Sequence, residues 1–163
     1  MSVELLNQET VIDYLVSKKV VAASENPQVE VLTGGVSNVV LAINTNSQKL
    51  VLKQALAELA VSEKWEADQR RAIVEANAIE LFNQLSPTQV PKLIFLDPER
   101  FVLVLERVPV GSTVWKSDLL SGVINPDIGA KLGKTLASWH NFGQTNAQAR
   151  IKIMEDTLFE QLR

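Results

Sequence analysis

The spacing of hydrophobic residues changes partway along this chain, from a helical period to the alternation of strands. Near the start, apolar residues recur at helical spacing, which predicts a short helix over residues 9–19. Asn26-Pro27 breaks that pattern. From Val29 the apolar residues alternate with others, as expected for strands that bury one face.

The remaining pattern predicts strands around one long helix, and then helices alone. Strands are expected over residues 29–33, 39–43, 49–55, 91–96 and 101–107. The long helix covers residues 63–86, between the third and fourth strands, and stops before Pro87. Residues 97–100, Asp-Pro-Glu-Arg, have good turn chemistry and predict a hairpin between the last two strands.

Pro109 and Gly111 separate the strand-rich part from the helical part. Three later helices are expected, over residues 116–120, 127–142 and 151–162. The order predicts an α+β fold over residues 1–108, with a five-stranded antiparallel sheet packed on one long helix. Residues 109–112 are the expected linker, and residues 113–163 the expected helical region.

Composition limits the classes of protein that fit this chain. Its 163 residues are 46% hydrophobic and 21% charged, which is typical of a globular protein with a core. The net charge of −3 argues against a dedicated binder of nucleic acid or anionic membranes. The absence of cysteine excludes thiolate catalysis and disulfides. No secretory signal or membrane-length apolar run is visible, so a cytoplasmic location is the default expectation.

Two charged residues stand among apolar ones. Glu75 falls inside the apolar arc of the long predicted helix, where an unpaired carboxylate is costly. Lys53 shares one strand face with Val51 and Ala55. The simpler interpretations are that Glu75 reaches water from the edge of the packed face and that Lys53 is solvated on an edge strand. The two residues explain each other if the helix packs on the sheet and Glu75 meets Lys53.

A glycine turn and a strand end supply two further candidates. Residues 33–38, Thr-Gly-Gly-Val-Ser-Asn, lie between two strands, and Gly34 and Gly35 would let the backbone approach a phosphate. The turn matches neither the P-loop nor the dinucleotide fingerprint, and an ordinary hairpin turn is the alternative. The strand over residues 101–107 ends in Glu106-Arg107-Val108, either as an ordinary strand end or as a hinge that binds a base.

The order of glycine turn, strand lysine, helix glutamate and hinge resembles the N-lobe of protein kinases. In detail the chain is similar to the aminoglycoside-phosphotransferase-like small-molecule kinases, and within them to the methylthioribose kinase group. The segments that carry this resemblance are residues 34–38, 50–55, 65–75, 90–92, 115–122, 128–136 and 159–163. It implies a kinase-like N-lobe in residues 1–108, followed by the first helices of a C-lobe.

The resemblance also implies roles for individual residues toward ATP. Residues of the turn would cover the phosphates, and Lys53 would contact them while Glu75 orients it. Val51 and Leu41 would enclose the adenine, and the backbone of Glu106 and Val108 would bind its edge. These expected nucleotide-binding residues are Gly34, Gly35, Ser37, Asn38, Leu41, Val51, Lys53, Glu75, Glu106 and Val108.

The catalytic loop of that family has no counterpart in this sequence. The only histidine, His140, is followed by asparagine rather than Gly-Asp, and a structural role at a helix end is expected for it. No catalytic base or metal ligand is assigned, and the Mg²⁺ ligands are expected downstream of this chain. The parent protein is expected to phosphorylate a hydroxyl of a sugar-like or aminoglycoside-like small molecule, while this part alone is expected to be inactive. The alternative is a non-catalytic interaction module, possibly a homodimer.

Overall fold

A computed structural model describes residues 3–109, 111–154 and 158 of the protein. The strand-rich part contains helix α1 (Val11–Ser17), strands β1 (Gln28–Val31), β2 (Asn38–Asn44) and β3 (Lys49–Ala55), helix α2 (Arg71–Leu85), and strands β4 (Leu93–Asp97) and β5 (Val102–Glu106). A single 3₁₀ turn, Ala23–Glu25, precedes β1. Helices α3 (Trp115–Leu120), α4 (Pro126–Thr145) and α5 (Ala147–Ile153) follow.

The strands form one antiparallel sheet in the order β1-β2-β3-β5-β4. The predicted α+β fold, with a five-stranded antiparallel sheet and one long helix, is confirmed and fits a kinase-like N-lobe. The hairpin predicted at residues 97–100 is also present, because the Asp97 carboxylate accepts hydrogen bonds from the backbone N–H groups of Glu99 and Arg100 at 3.1 and 3.2 Å.

Helix α1 covers one face of the sheet, and this face contains the larger apolar cluster. Alternate residues of β2, β3 and β5 pack there against α1, and Leu15 is fully buried among them. The cluster consists of Leu6, Val11, Tyr14, Leu15, Val21, Leu41, Ile43, Leu50, Leu52, Val102 and Val104. Helix α1 therefore buries the face of the sheet opposite to the one on which α2 packs.

Two polar groups are buried on the α1 face, and both are fully hydrogen-bonded to nearby elements. The Gln54 amide accepts from the backbone N–H of Leu6 at 2.8 Å and donates to the carbonyls of Glu4 and Arg100 at 3.1 and 3.3 Å. The Asp97 carboxylate accepts from the Tyr14 hydroxyl at 3.0 Å and pairs with Lys18 at 2.8 Å. These contacts fix the N-terminal segment and α1 to the sheet.

Helix α2 packs on the other face of the sheet through small residues. Ala72 and Ala76 are buried, and Ala72 joins Ala55, Leu103 and Leu105 in a second, smaller cluster. The helix begins at Arg71 rather than at residue 63. The preceding residues form an irregular loop, in which the Asp68 carboxylate accepts a hydrogen bond from the backbone N–H of Arg70 at 2.8 Å.

The later helices attach to α2 through a few specific contacts. Trp139 of α4 stacks on Phe82 of α2, with ring centroids 4.1 Å apart, and donates its indole N–H to the Ser86 hydroxyl at 3.0 Å. The helix predicted over residues 127–142 is present and slightly longer. Helix α5 begins at Ala147, four residues before its expected start at 151. Most of the helix predicted over 151–162, and the segment 159–163, lie outside the described residues.

Candidate functional site

Lys53 and Glu75 meet at the junction of the sheet and α2. Lys53 lies on β3 between Val40 of β2 and Leu103 of β5, with its side chain on the α2 face. Its ammonium group donates a hydrogen bond to the Glu75 carboxylate and forms an ion pair with it. The side chains are 23% and 36% exposed, so the pair is accessible from solvent. The structure thus brings together the two charges that the sequence leaves among apolar residues.

The glycine turn lies between β1 and β2, beside this ion pair. Gly34 has a φ of +103°, a backbone conformation that disfavours any residue with a side chain. A Cβ atom at Gly34 or Gly35 would meet no atom within 4 Å, so the turn is open next to both glycines. Ser37 and Asn38 close the turn, and the Asn38 amide donates to the Ser37 hydroxyl at 3.0 Å.

Arg71 ties the turn to α2. One terminal nitrogen of its guanidinium donates to the carbonyl of Ser37 at 2.6 Å and to that of Leu56 at 2.7 Å. The other donates to the carbonyls of Ala67 and Asp68, at 3.1 and 3.0 Å. Burial lowers the pKa of this guanidinium, while the nearby carboxylates oppose the shift. The group stays charged because arginine does not lose its proton in proteins.

A cavity of about 510 Å³ opens beside the hinge, on the same face of the sheet as Lys53. Val51 lines it from β3, and Glu106 and Val108 line it from the strand end. Val51 and Lys53 are two residues apart on one strand face, which places them roughly 7 Å apart. Leu32, Pro91, Leu105 and Val114 complete most of its apolar wall. Its volume lies within the range of about 300–1,000 Å³ that is usual for small-molecule sites.

Leu41 does not lie in this cavity. It is buried on the opposite face of the sheet, in the cluster under α1, because it pairs with Leu52 rather than with Val51. Leu32, just after β1, lines the cavity from the position expected of Leu41. Strand alternation could have indicated this, since Leu32 is on the opposite face from Val29 and Val31.

Apart from Leu41, the predicted residues therefore fall into two adjacent groups. Lys53, Glu75 and the turn form a charged group beside α2, and Val51, Glu106 and Val108 line the cavity at the end of β5. Arg71 is the functional candidate that reasoning on individual residues missed. Its signal was available, because it lies four residues before Glu75 and so shares a face of the same helix.

His140 lies in α4 and lines a different cavity, between α2, α4 and α5. Within residues 3–109, 111–154 and 158, no group of three or more His, Cys, Asp or Glu side chains could hold a metal ion. In the same part of the chain, no helix is long and apolar enough to cross a membrane.

Comparison with known proteins gives a consistent set of relatives. A methylthioribose kinase from Enterobacter sp. (strain 638) is 34% identical over 90 residues, 55% of this chain and 22% of the relative. One from Bacillus cereus (strain G9842) is 25% identical over 94% of this chain and 43% of the relative. Another, from Bacillus cereus (strain B4264), is 28% identical over 75% of this chain and 35% of the relative.

These relatives are distant homologues, and they support a kinase-like family at that coarse level. No family model matches the chain. The chain spans less than half the length of these curated relatives, between 22% and 43%.

Proposed function

We propose that this chain is the ATP-binding portion of a kinase that transfers the γ-phosphoryl group to a hydroxyl of a small molecule. The observation that carries the proposal is the Lys53–Glu75 ion pair beside an open glycine turn. A lysine held by a carboxylate is a positioned charge for phosphate oxygens. Phosphoryl transfer depends mainly on such positioning and on neutralising charge.

The hinge cavity supports adenine as the base. Val51 and Leu32 would contact its faces, and the carbonyl of Glu106 and the N–H of Val108 would bind its edge. The phosphates would then lie toward Lys53, with the turn from Gly34 to Asn38 above them. The described residues offer no acidic cluster for Mg²⁺, so we expect its ligands and the catalytic base to belong to another part of the protein.

The relatives favour a sugar-like acceptor. Because the matched proteins are named methylthioribose kinase, methylthioribose or a similar sugar is the first candidate. An aminoglycoside or another amino alcohol is the alternative within the wider phosphotransferase family. An activity screen of the full-length protein against a panel of small alcohols would decide between them, since transfer to one alcohol identifies the class.

Calorimetric titration of ATP into the wild-type chain and into a Lys53→Ala variant tests the nucleotide site. We expect weak binding to the wild type and weaker binding to the variant, because the ammonium group is the proposed phosphate ligand. Equal ATP affinities of the two proteins would show that Lys53 is not a phosphate ligand.

A second candidate function is a non-catalytic kinase-like interaction module. The observation in its favour is a stripe of half-exposed apolar residues on one face of α4, namely Ile128, Leu132 and Leu136. These residues recur every four positions along α4. Leu120 of α3 and Ile124 of the loop before α4 are also exposed, at 79% and 76%. Light scattering after size exclusion tests it, since a stable dimer without ATP binding would favour the module.

A further inference from the structure

Arg71 has an unusual set of partners for a residue at the start of a helix. Its guanidinium binds four backbone carbonyls that belong to three separate segments: the glycine turn, the residue after β3, and the loop before α2. An arginine can do this because its donors form a rigid planar fork. Each terminal nitrogen donates to a different pair of carbonyls, and only one of the two nitrogens donates to Ser37.

The peptide that Arg71 holds is the one that closes the turn. The carbonyl of Ser37 also accepts the backbone N–H of Leu56 at 3.0 Å, so it receives two donors. A trans peptide is planar, and its carbonyl and N–H point in opposite directions. Fixing the Ser37 carbonyl therefore also fixes the direction of the Asn38 N–H, which points away from Leu56 and from the Arg71 guanidinium.

Arg71 also lies one helical turn before Glu75, on the same side of α2. The charges of Arg71 and Glu75 attract each other, although the Glu75 carboxylate is bonded to Lys53. The arginine thus lies between the two parts of the charged group, with the turn on one side and the ion pair on the other.

We propose that Arg71 is a positioning residue that couples the glycine turn to α2, so that the turn and the Lys53–Glu75 pair are presented to phosphate together. This inference rests on the proposed nucleotide function. Arg71 acts through the backbone of the turn and does not contact phosphate itself. Its loss therefore affects the part of nucleotide affinity that comes from phosphate, and leaves the part from the base unchanged.

Two substitutions separate this role from a simple charge effect. Arg71→Ala removes all four hydrogen bonds, whereas Arg71→Lys keeps the positive charge but has a single nitrogen, which cannot serve both pairs of carbonyls. Arg100→Ala is the matched control. Arg100 also donates to a backbone carbonyl, that of Glu4 at 2.9 Å, but it lies against Tyr14 on the α1 face.

The first measurement is hydrogen exchange of the backbone amides of Leu56 and Ala60 in the 163-residue chain, since these donate to the turn carbonyls of Ser37 and Val36 at 3.0 and 2.8 Å. Without Arg71 the turn opens more often, so we expect exchange about tenfold faster in Arg71→Ala and Arg71→Lys, and unchanged in Arg100→Ala. Wild-type exchange rates in Arg71→Ala would overturn the proposal. This measurement needs no nucleotide, so it remains decisive even where the proposed function fails.

The second measurement compares the affinities for ATP and adenosine. We expect Arg71→Ala and Arg71→Lys to weaken ATP binding about tenfold and adenosine binding less than twofold. Restoration of ATP affinity by Arg71→Lys would mean that charge alone matters, and would also overturn the proposal. A wild-type chain that binds neither ligand would instead refute the nucleotide function.

Discussion

The Lys53–Glu75 pair allows binding and stability to be separated by mutation. Lys53→Met keeps the apolar stem of the side chain but removes the ammonium group, and Glu75→Gln keeps the shape of the partner but removes its charge. If the pair exists to hold phosphate, these changes affect nucleotide affinity more than they affect folding. If it is only a structural contact, the opposite holds.

The exposure of the two side chains sets the expected cost to folding. Two unit charges 4 Å apart attract by about 1 kcal/mol in water and about 4 kcal/mol at an effective dielectric constant of about 20. With exposed fractions of 23% and 36%, solvent screening and side-chain entropy reduce the net contribution to about 0.2–1 kcal/mol. We therefore expect either variant to lose less than about 1 kcal/mol of unfolding free energy.

The expected cost to binding is larger. A hydrogen bond from an ammonium group to a charged phosphate contributes about 1.5–3 kcal/mol, which corresponds to roughly tenfold to a hundredfold in affinity. Lys53→Met is expected to lose that amount for ATP. Glu75→Gln is expected to lose less, because the lysine remains but is no longer oriented.

Urea unfolding measures the stability, and calorimetry or NMR titration with ATP measures the affinity. Lys18→Met is the matched control, since Lys18 pairs with Asp97 on the other face of the sheet. It should alter stability and leave ATP affinity unchanged. The reasoning is refuted if Lys53→Met lowers stability by more than about 2 kcal/mol while binding ATP as the wild type does.

Three further predictions concern the core, the Asp97 contact and the hinge cavity. Leu15→Ala should cost about 2–5 kcal/mol in urea unfolding, because Leu15 of α1 is fully buried against the sheet, and a loss below about 1 kcal/mol would contradict that packing. Burial raises the pKa of Asp97, but hydrogen bonds from Lys18 and Tyr14 outweigh it and leave the pKa lowered. Its contribution to stability is therefore complete above the unfolded pKa of about 3.9 and is lost as the pH falls toward the folded pKa. Urea unfolding between pH 7 and pH 3 should show a smaller loss for Asp97→Asn than for the wild type, and equal losses would count against the contact. ATP should bind about tenfold more tightly than GTP, because the hinge backbone would match the edge of adenine, and equal affinities in competition titrations would argue against the hinge.

Most of the fold could be predicted from the sequence, because most of its helices and strands show a clear hydrophobic periodicity. The alternation around Val51 and Lys53 gave the correct faces of β3, and Pro87 marked the end of α2. The start of α2 was harder, since residues 56–70 carry helix-forming residues but are held in a loop by local bonds such as that of Asp68. The position of α1 could not be predicted, because an apolar stripe does not specify which sheet face it covers.

The residues of the candidate site also differ in how far the sequence predicts their positions. The Lys53–Glu75 contact was predictable because each charge needed a partner on an apolar face. Leu41 was assigned to the cavity, but the register between β2 and β3 pairs it with Leu52 and so places it on the opposite face from Val51. The spacing of Arg71 from Glu75 marked it as a neighbour of the pair, but its contacts were not predictable, because its partners are backbone carbonyls from segments up to 34 residues away.

Gln54 and Lys53 are consecutive residues of β3, and this gives the strand a fixed register. A slip of one residue in the pairing of β3 would place the ammonium group of Lys53 in the apolar cluster under α1. The same slip would place the amide of Gln54 on the face of the sheet where α2 packs. An unpaired charge buried under α1 is strongly unfavourable, and the amide would lose its bonds to Leu6 and Glu4. The N-terminal segment lies on the face of the sheet opposite the Lys53–Glu75 pair. Through Gln54 it thereby helps to specify during folding which face carries the lysine.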